Sequence, residues 1–281
     1  MTKPQTLLDG LCFGEGPRWR DNKLWFSDMH AHQVVTVDMA GNTEVITEVP
    51  NQPSGLGWLP DGRLLIVSMA DRRLLRLEND GQLVEAADLS TLSPFHCNDM
   101  VVDAQGRAYV GNFGFDLHNG AKPAKTNMLM VTPEGGVSVA AEDLSFPNGT
   151  VITPDGKTLI VGESFGGCLT AFDIGNDGML SNRRLWAQLE GAVPDGIALD
   201  ADNGIWVASP SSAEALRVKE GGKVTDRVPV ETQAFACMLG GPERRTLFIL
   251  TAKDSHPDKA AESKSGRVEI IEVEHPGAGL P

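Results

Sequence analysis

The stretch VITPDGKTLIVG (Val151–Gly162) decides the fold. It runs from three apolar or β-branched residues through a Pro-Asp-Gly turn into a second apolar strand, which is the signature of a β-hairpin. Five other stretches repeat the pattern: PRWRDNKLWFSD (17–28), GWLPDGRLLIVS (57–68), VVDAQGRAYVGN (101–112), ALDADNGIWVAS (198–209) and a degenerate LGGPERRTLFIL (239–250). The first residue after each turn is Leu24, Leu64, Ala108, Leu159, Ile205 or Leu247, so successive copies lie 40, 44, 51, 46 and 42 residues apart.

A period of this size, built from strands alone, predicts four-stranded propeller blades. Segments between the hairpins, such as HQVVTVDMAGNTEVITE (32–48) and RLLRLENDGQLVEAA (73–87), alternate and turn without a 3.6-residue stripe. The expected fold is therefore all-β, a six-bladed β-propeller occupying residues 1–281 as a single domain. The strand-like VEIIEVE (268–274) is expected to share a blade with an N-terminal strand and close the ring.

Counting back from each anchor finds the residue at the start of the blade's first strand. These residues are Glu15, Ser54, Asn98, Asn148 and Asp195, nine to eleven positions upstream; the sixth slot falls on apolar Phe235 and Ala236. In a propeller such positions ring the central channel. Two carboxylates and two amide oxygens converging there suit a hard divalent cation, because carboxylates gathered without one repel each other. Each residue taken alone also fits the plain role of capping its own turn.

Five motifs in order, GEGPRW, NDMVVDAQGRAYVGN, FPNGTVITPDGKTL, FDIGNDGMLSNRRLWA and PDGIALDADNGIWVA, resemble the senescence marker protein, gluconolactonase and luciferin-regenerating enzyme family over about residues 11–250. The resemblance implies a six-bladed propeller with one divalent metal in its channel, hydrolysing lactones of the gluconolactone type. It further implies Glu15, Asn148 and Asp195 as metal ligands, Asn98 and Asp99 on the substrate side, and Asp116 as the acidic sugar-binding residue. Calcium is the first candidate, with zinc, magnesium and manganese as alternatives. Asp99 is the first candidate for general base and Asp195 the second.

One position departs from the family pattern. His96, in FHCND, stands where the sugar-lactone members carry an arginine, and histidine lacks the fixed fork that grips hydroxyls. His96 is still a candidate substrate contact. The loop NFGFDLHNGAKPAKTN (112–127) holds two phenylalanines and is expected over the channel mouth, which argues for a less polar substrate.

Other signals are weaker. GESFG (162–166) matches a nucleophile elbow, but the strand-like CLTAFDI follows where that motif needs a helix, so Ser164 is expected in a hairpin. DIGNDG lacks the terminal Glu of a calcium loop and is expected to be a turn. His30 and His32 are expected in a blade connection or at the rim.

Composition sets the outer limits. Lys and Arg number 24 against 38 Asp and Glu, a net charge of −14, with no basic patch for nucleic acid or membrane. The expected partner is a small-molecule lactone, and the expected form is a monomer or small homo-oligomer. The four scattered cysteines and the lack of an N-terminal apolar segment give a cytoplasmic expectation. Two alternatives fit the same pattern: a phosphotriester or fluorophosphate hydrolase on the same metal, and a non-catalytic propeller binding ligands or proteins.

Overall fold

A computed structural model describes residues 3–279. Six four-stranded antiparallel sheets follow one another along the chain. Their first strands are Gly14–Arg20, Pro53–Trp58, Cys97–Val102, Pro147–Ile152, Ile197–Leu199 and Gln233–Gly240. Each first strand touches the first strands of the two neighbouring blades, so these six form the inner wall of a closed ring. The last blade is built from both ends of the chain: Gln5–Leu11 pairs with Gly266–Glu272, as VEIIEVE predicts. This is a six-bladed β-propeller.

The turns explain why the repeat was visible. In four blades the turn aspartate accepts backbone N–H groups two to four residues ahead: Asp61 from Arg63, Asp103 from Gln105 and Arg107, Asp155 from Lys157, and Asp200 from Asp202 and Gly204. Such Asx turns fix the hairpin geometry locally. The second strands Leu64–Ser68, Ala108–Asn112 and Ile205–Ser209 are buried throughout, since each sheet packs on both faces between its neighbours. Outer strands such as Thr43–Glu48 are mostly exposed and carry the charge.

Near the axis the neighbouring strands approach closely, and this accounts for the Asn-Gly pair at 148–149. A Cβ on Gly149 would lie 2.4 Å from the Ile197 nitrogen, and one on Gly55 would lie 2.4 Å from the Met100 nitrogen. Only glycine fits at these crossings. All four cysteines are free thiols, with Cys12, Cys97 and Cys237 buried. Among the described residues no helix is long and apolar enough to cross a membrane.

Candidate metal centre and active site

In the first four blades the inner strand breaks its pairing register beside the residue counted back from the hairpin. The irregularity falls between Glu15 and Arg18, Pro53 and Leu56, Cys97 and Met100, and Pro147 and Thr150. Such bulges re-aim side chains, here toward the channel. In the fifth blade Asp195 lies just ahead of the strand, held by its N–H to the Ala208 carbonyl at 3.0 Å.

Glu15, Asn98, Asn148 and Asp195 border one cavity of about 210 Å³. Glu15, Asn98 and Asn148 are buried, and Asp195 is partly exposed to the cavity. Asn148 donates from Nδ2 to Asp195 Oδ1 at 2.5 Å and to Ser164 Oγ at 3.2 Å. Ser164 in turn donates to the Pro194 carbonyl at 2.7 Å. Nδ2 of Asn98 is buried without a partner. Ser54 is buried beside the ring but does not border the cavity, and Phe235 supplies the apolar sixth position.

The electrostatics of this floor are unfavourable by themselves. Burial raises the Glu15 carboxyl well above its usual range, and the charges of Asp195 and Asp99 raise it further. Burial likewise pushes Asp195 up to about 8, against the lowering effect of the Asn148 hydrogen bond. Two carboxyls held toward protonation, with all remaining donors amides or hydroxyls, form a set that a hard cation would complete. Among the described residues, no three His, Cys, Asp or Glu side chains gather into a cluster able to hold a metal ion. The donor set is thus two carboxylates plus neutral oxygens.

The other expected site residues lie elsewhere. Asp99 does not border the cavity; its Oδ1 accepts from Arg18 Nη2 at 2.9 Å and from the Met100 N–H at 2.8 Å. Arg18 also donates to the Met100 and Pro17 carbonyls. It lines a second cavity, of about 120 Å³, bordered by residues such as Val102, Ile152 and Leu199 near the ends of the inner strands. The buried Arg18–Asp99 pair therefore sits behind the polar floor. His96 is also off the wall, stacked on Phe95 at 4.1 Å and tilted against Phe113 at 5.9 Å. Asp116 spends its carboxylate on the Asn119 backbone and side-chain N–H groups, inside the 112–127 loop.

Several wall residues were not read from the sequence. Ser164 sits in a one-turn 3₁₀ helix between two strands, as the hairpin reading required, yet it borders the cavity and anchors Asn148. His30 is at the wall while His32 is exposed in a left-handed conformation. Phe13, Phe146 and Phe235 each lie within two residues of a counted-back position, and that proximity was the available signal.

The comparisons with known proteins agree with this architecture. The 6-deoxy-6-sulfogluconolactonase of Pseudomonas putida is 26% identical over 279 residues, covering 95% of this chain and 94% of the relative. The pentonolactonase of Haloferax volcanii is 23% identical, covering 91% and 87%. The crystal structure of a calcium-binding protein, regucalcin, from Agrobacterium tumefaciens superposes with a TM-score of 0.82 at 22% identity, covering 98% and 95%, and shares the fold. Residues 13–253 match the SMP-30/Gluconolactonase/LRE-like region, and the chain belongs to that family.

Proposed function

We propose that the protein is a divalent-cation-dependent hydrolase that opens lactone rings. One observation carries the reading: Glu15, Asn98, Asn148 and Asp195, from four blades, share one cavity wall where two carboxyls lack compensating charge. The lactonase names of two relatives support the reaction class, and the calcium-binding neighbour supports the choice of cation.

Glu15, Asn148 and Asp195 would hold the cation, calcium first among the candidates; Asn148 would then offer its amide oxygen in place of the N–H it gives Asp195. When bound, the cation polarises the lactone carbonyl and stabilises the developing oxyanion. The free N–H of Asn98 donates to the water or to a lactone oxygen. Asp195 faces the cavity and takes the proton of the attacking water on a carboxylate oxygen. Asp99 acts at one remove, by holding Arg18 behind the floor.

The test is a lactone panel assayed with and without chelator, beside metal analysis of Asp195→Ala. Chelator is expected to abolish turnover and calcium to restore it, and the variant is expected to lose bound metal. Full metal content in Asp195→Ala would sink the ligand assignment. Turnover that ignores chelator would sink the cation's role.

A further inference from the structure

Above the polar floor the cavity changes character. Five phenylalanines border it: Phe13, Phe113, Phe146, Phe165 and Phe235 come from four different blades. Phe113 stacks on Phe146 at 4.6 Å, Phe13 meets Phe235 edge-on at 4.7 Å, and Phe146 tilts against Phe165 at 5.3 Å. Met29 and Met69 also line the cavity and belong to the same apolar cluster. This cluster forms a collar at the mouth, apart from the cores that lie between blades.

We propose, resting on the lactonase reading above, that the substrate is an uncharged lactone bearing an apolar alkyl or aryl substituent, seated in the phenylalanine collar.

Three observations count against the polar alternatives. First, two polar groups at the collar, His30 and Ser164, are engaged. His30 uses one ring nitrogen on the Ser255 carbonyl at 3.1 Å and the other on Gln52 Nε2 at 3.3 Å. Ser164 is committed to Pro194 and Asn148. A sugar ring also stacks its C–H face on phenyl rings, but its hydroxyls then need partners, and a buried hydroxyl left unpaired loses roughly tenfold or more. Second, among the described residues no Lys or Arg borders the cavity. Burial lowers His30 to about 4 and also lowers His118, so both rings are neutral near pH 7. A sulfonate, phosphate or carboxylate substituent seated in the collar would meet no positively charged side chain, in a chain of net charge −14. Third, His96 does not border the cavity and packs its ring against Phe95 and Phe113. In the reaction, water adds to the lactone carbonyl, the ring C–O bond breaks, and the departing alkoxide gains a proton to give the hydroxy acid. The substituent stays in the collar throughout, so its burial lowers the barrier for kcat/KM.

The experiment compares kcat/KM of the calcium-loaded protein for δ-valerolactone, δ-decalactone, dihydrocoumarin and gluconolactone. Each methylene taken up by the collar is worth about fourfold, so the five extra carbons of δ-decalactone should raise it above δ-valerolactone by up to about a thousandfold, with gluconolactone the poorest. Phe165 is 50% exposed at the rim, so Phe165→Ala should fold. In that variant the decalactone-to-valerolactone ratio should fall about tenfold while bound metal is retained. A flat series, a preference for gluconolactone, or an unchanged ratio in Phe165→Ala overturns the collar proposal and leaves the lactonase reading standing. No turnover of any of the four overturns the lactonase reading and this inference together.

Discussion

Asp99 occupies a register that is glycine after the other counted-back residues, in Glu15-Gly16, Ser54-Gly55, Asn148-Gly149 and Asp195-Gly196. Its carboxylate reaches 81 residues back in sequence to Arg18, and both side chains are less than a tenth exposed. Burial raises the Asp99 carboxyl, while Arg18 and the Met100 N–H oppose that rise. Removing one partner of a buried pair leaves the other charge uncompensated, which costs about 3–5 kcal/mol. Asp99→Asn keeps the shape and loses the charge, so the unfolding free energy in a denaturant titration is expected to drop by an amount in that range, with bound metal retained. Its kcat at saturating calcium should fall by less than the ~10²–10⁴-fold typical of losing a positioned base. Asp195→Asn should show the opposite pattern, with weakened metal binding and a loss of turnover in the base range that excess calcium does not restore. A loss in Asp99→Asn as large as the base range, with stability intact, would return the proton-transfer role to Asp99.

The inner strand is the element that turns a repeat into a site. Its bulge aims one side chain at the axis, and the glycine after it lets the next blade's strand come close. Gly149→Ala places a methyl 2.4 Å from the Ile197 nitrogen and 2.5 Å from the Asp195 carbonyl. Backbone must move at both points. The variant should lose about 1–3 kcal/mol by overpacking, read in a denaturant titration, and should bind calcium more weakly because Asp195 shifts with its carbonyl. Unchanged metal affinity would show that the two strands separate without disturbing the floor. This element also marks what the sequence made legible. The turn aspartates bond within their own hairpins, so the period and the ring positions can be counted along the chain. The collar cannot be counted in this way. Phe13 and Phe146 each stand two residues before a ring position and Phe235 fills the sixth slot, but Phe113 and Phe165 lie beyond the second strands, and the five meet only after the ring closes. The Arg18–Asp99 pair was hidden for the same reason, since GEGPRW gives no hint of a partner in the third blade.

The whole ring couples the floor to stability, because the carboxyls there sit where strands from different blades meet. The sign of the pH effect follows from the direction of their shifts. Glu15 and Asp195 have native pKa values above those of the unfolded chain, roughly 4. Between that value and the native one, the folded protein holds more protons than the unfolded chain, so stability falls as pH rises. For Asp195 the window runs from about 4 to about 8. Burial also raises Asp28, Asp99 and Glu269, which contribute a slope of the same sign but lie outside the proposed metal site, while His30, lowered from 6.5 to about 4, opposes it between those values. A bound cation replaces the protons on the floor, and a ligand at a hundred times its Kd adds about 2.7 kcal/mol. The chelated protein should therefore melt at a lower temperature at pH 8 than at pH 5. Calcium should raise the melting temperature more at pH 8, where the floor is charged, than at pH 5, where protons compete. Asp195→Asn should make the chelated profile shallower and shrink the calcium response, leaving the slope from Glu15, Asp99, Asp28 and Glu269. Scanning calorimetry at the two pH values, with chelator and with calcium, measures all four conditions. An equal calcium response at both would mean that the cation binds away from these carboxyls.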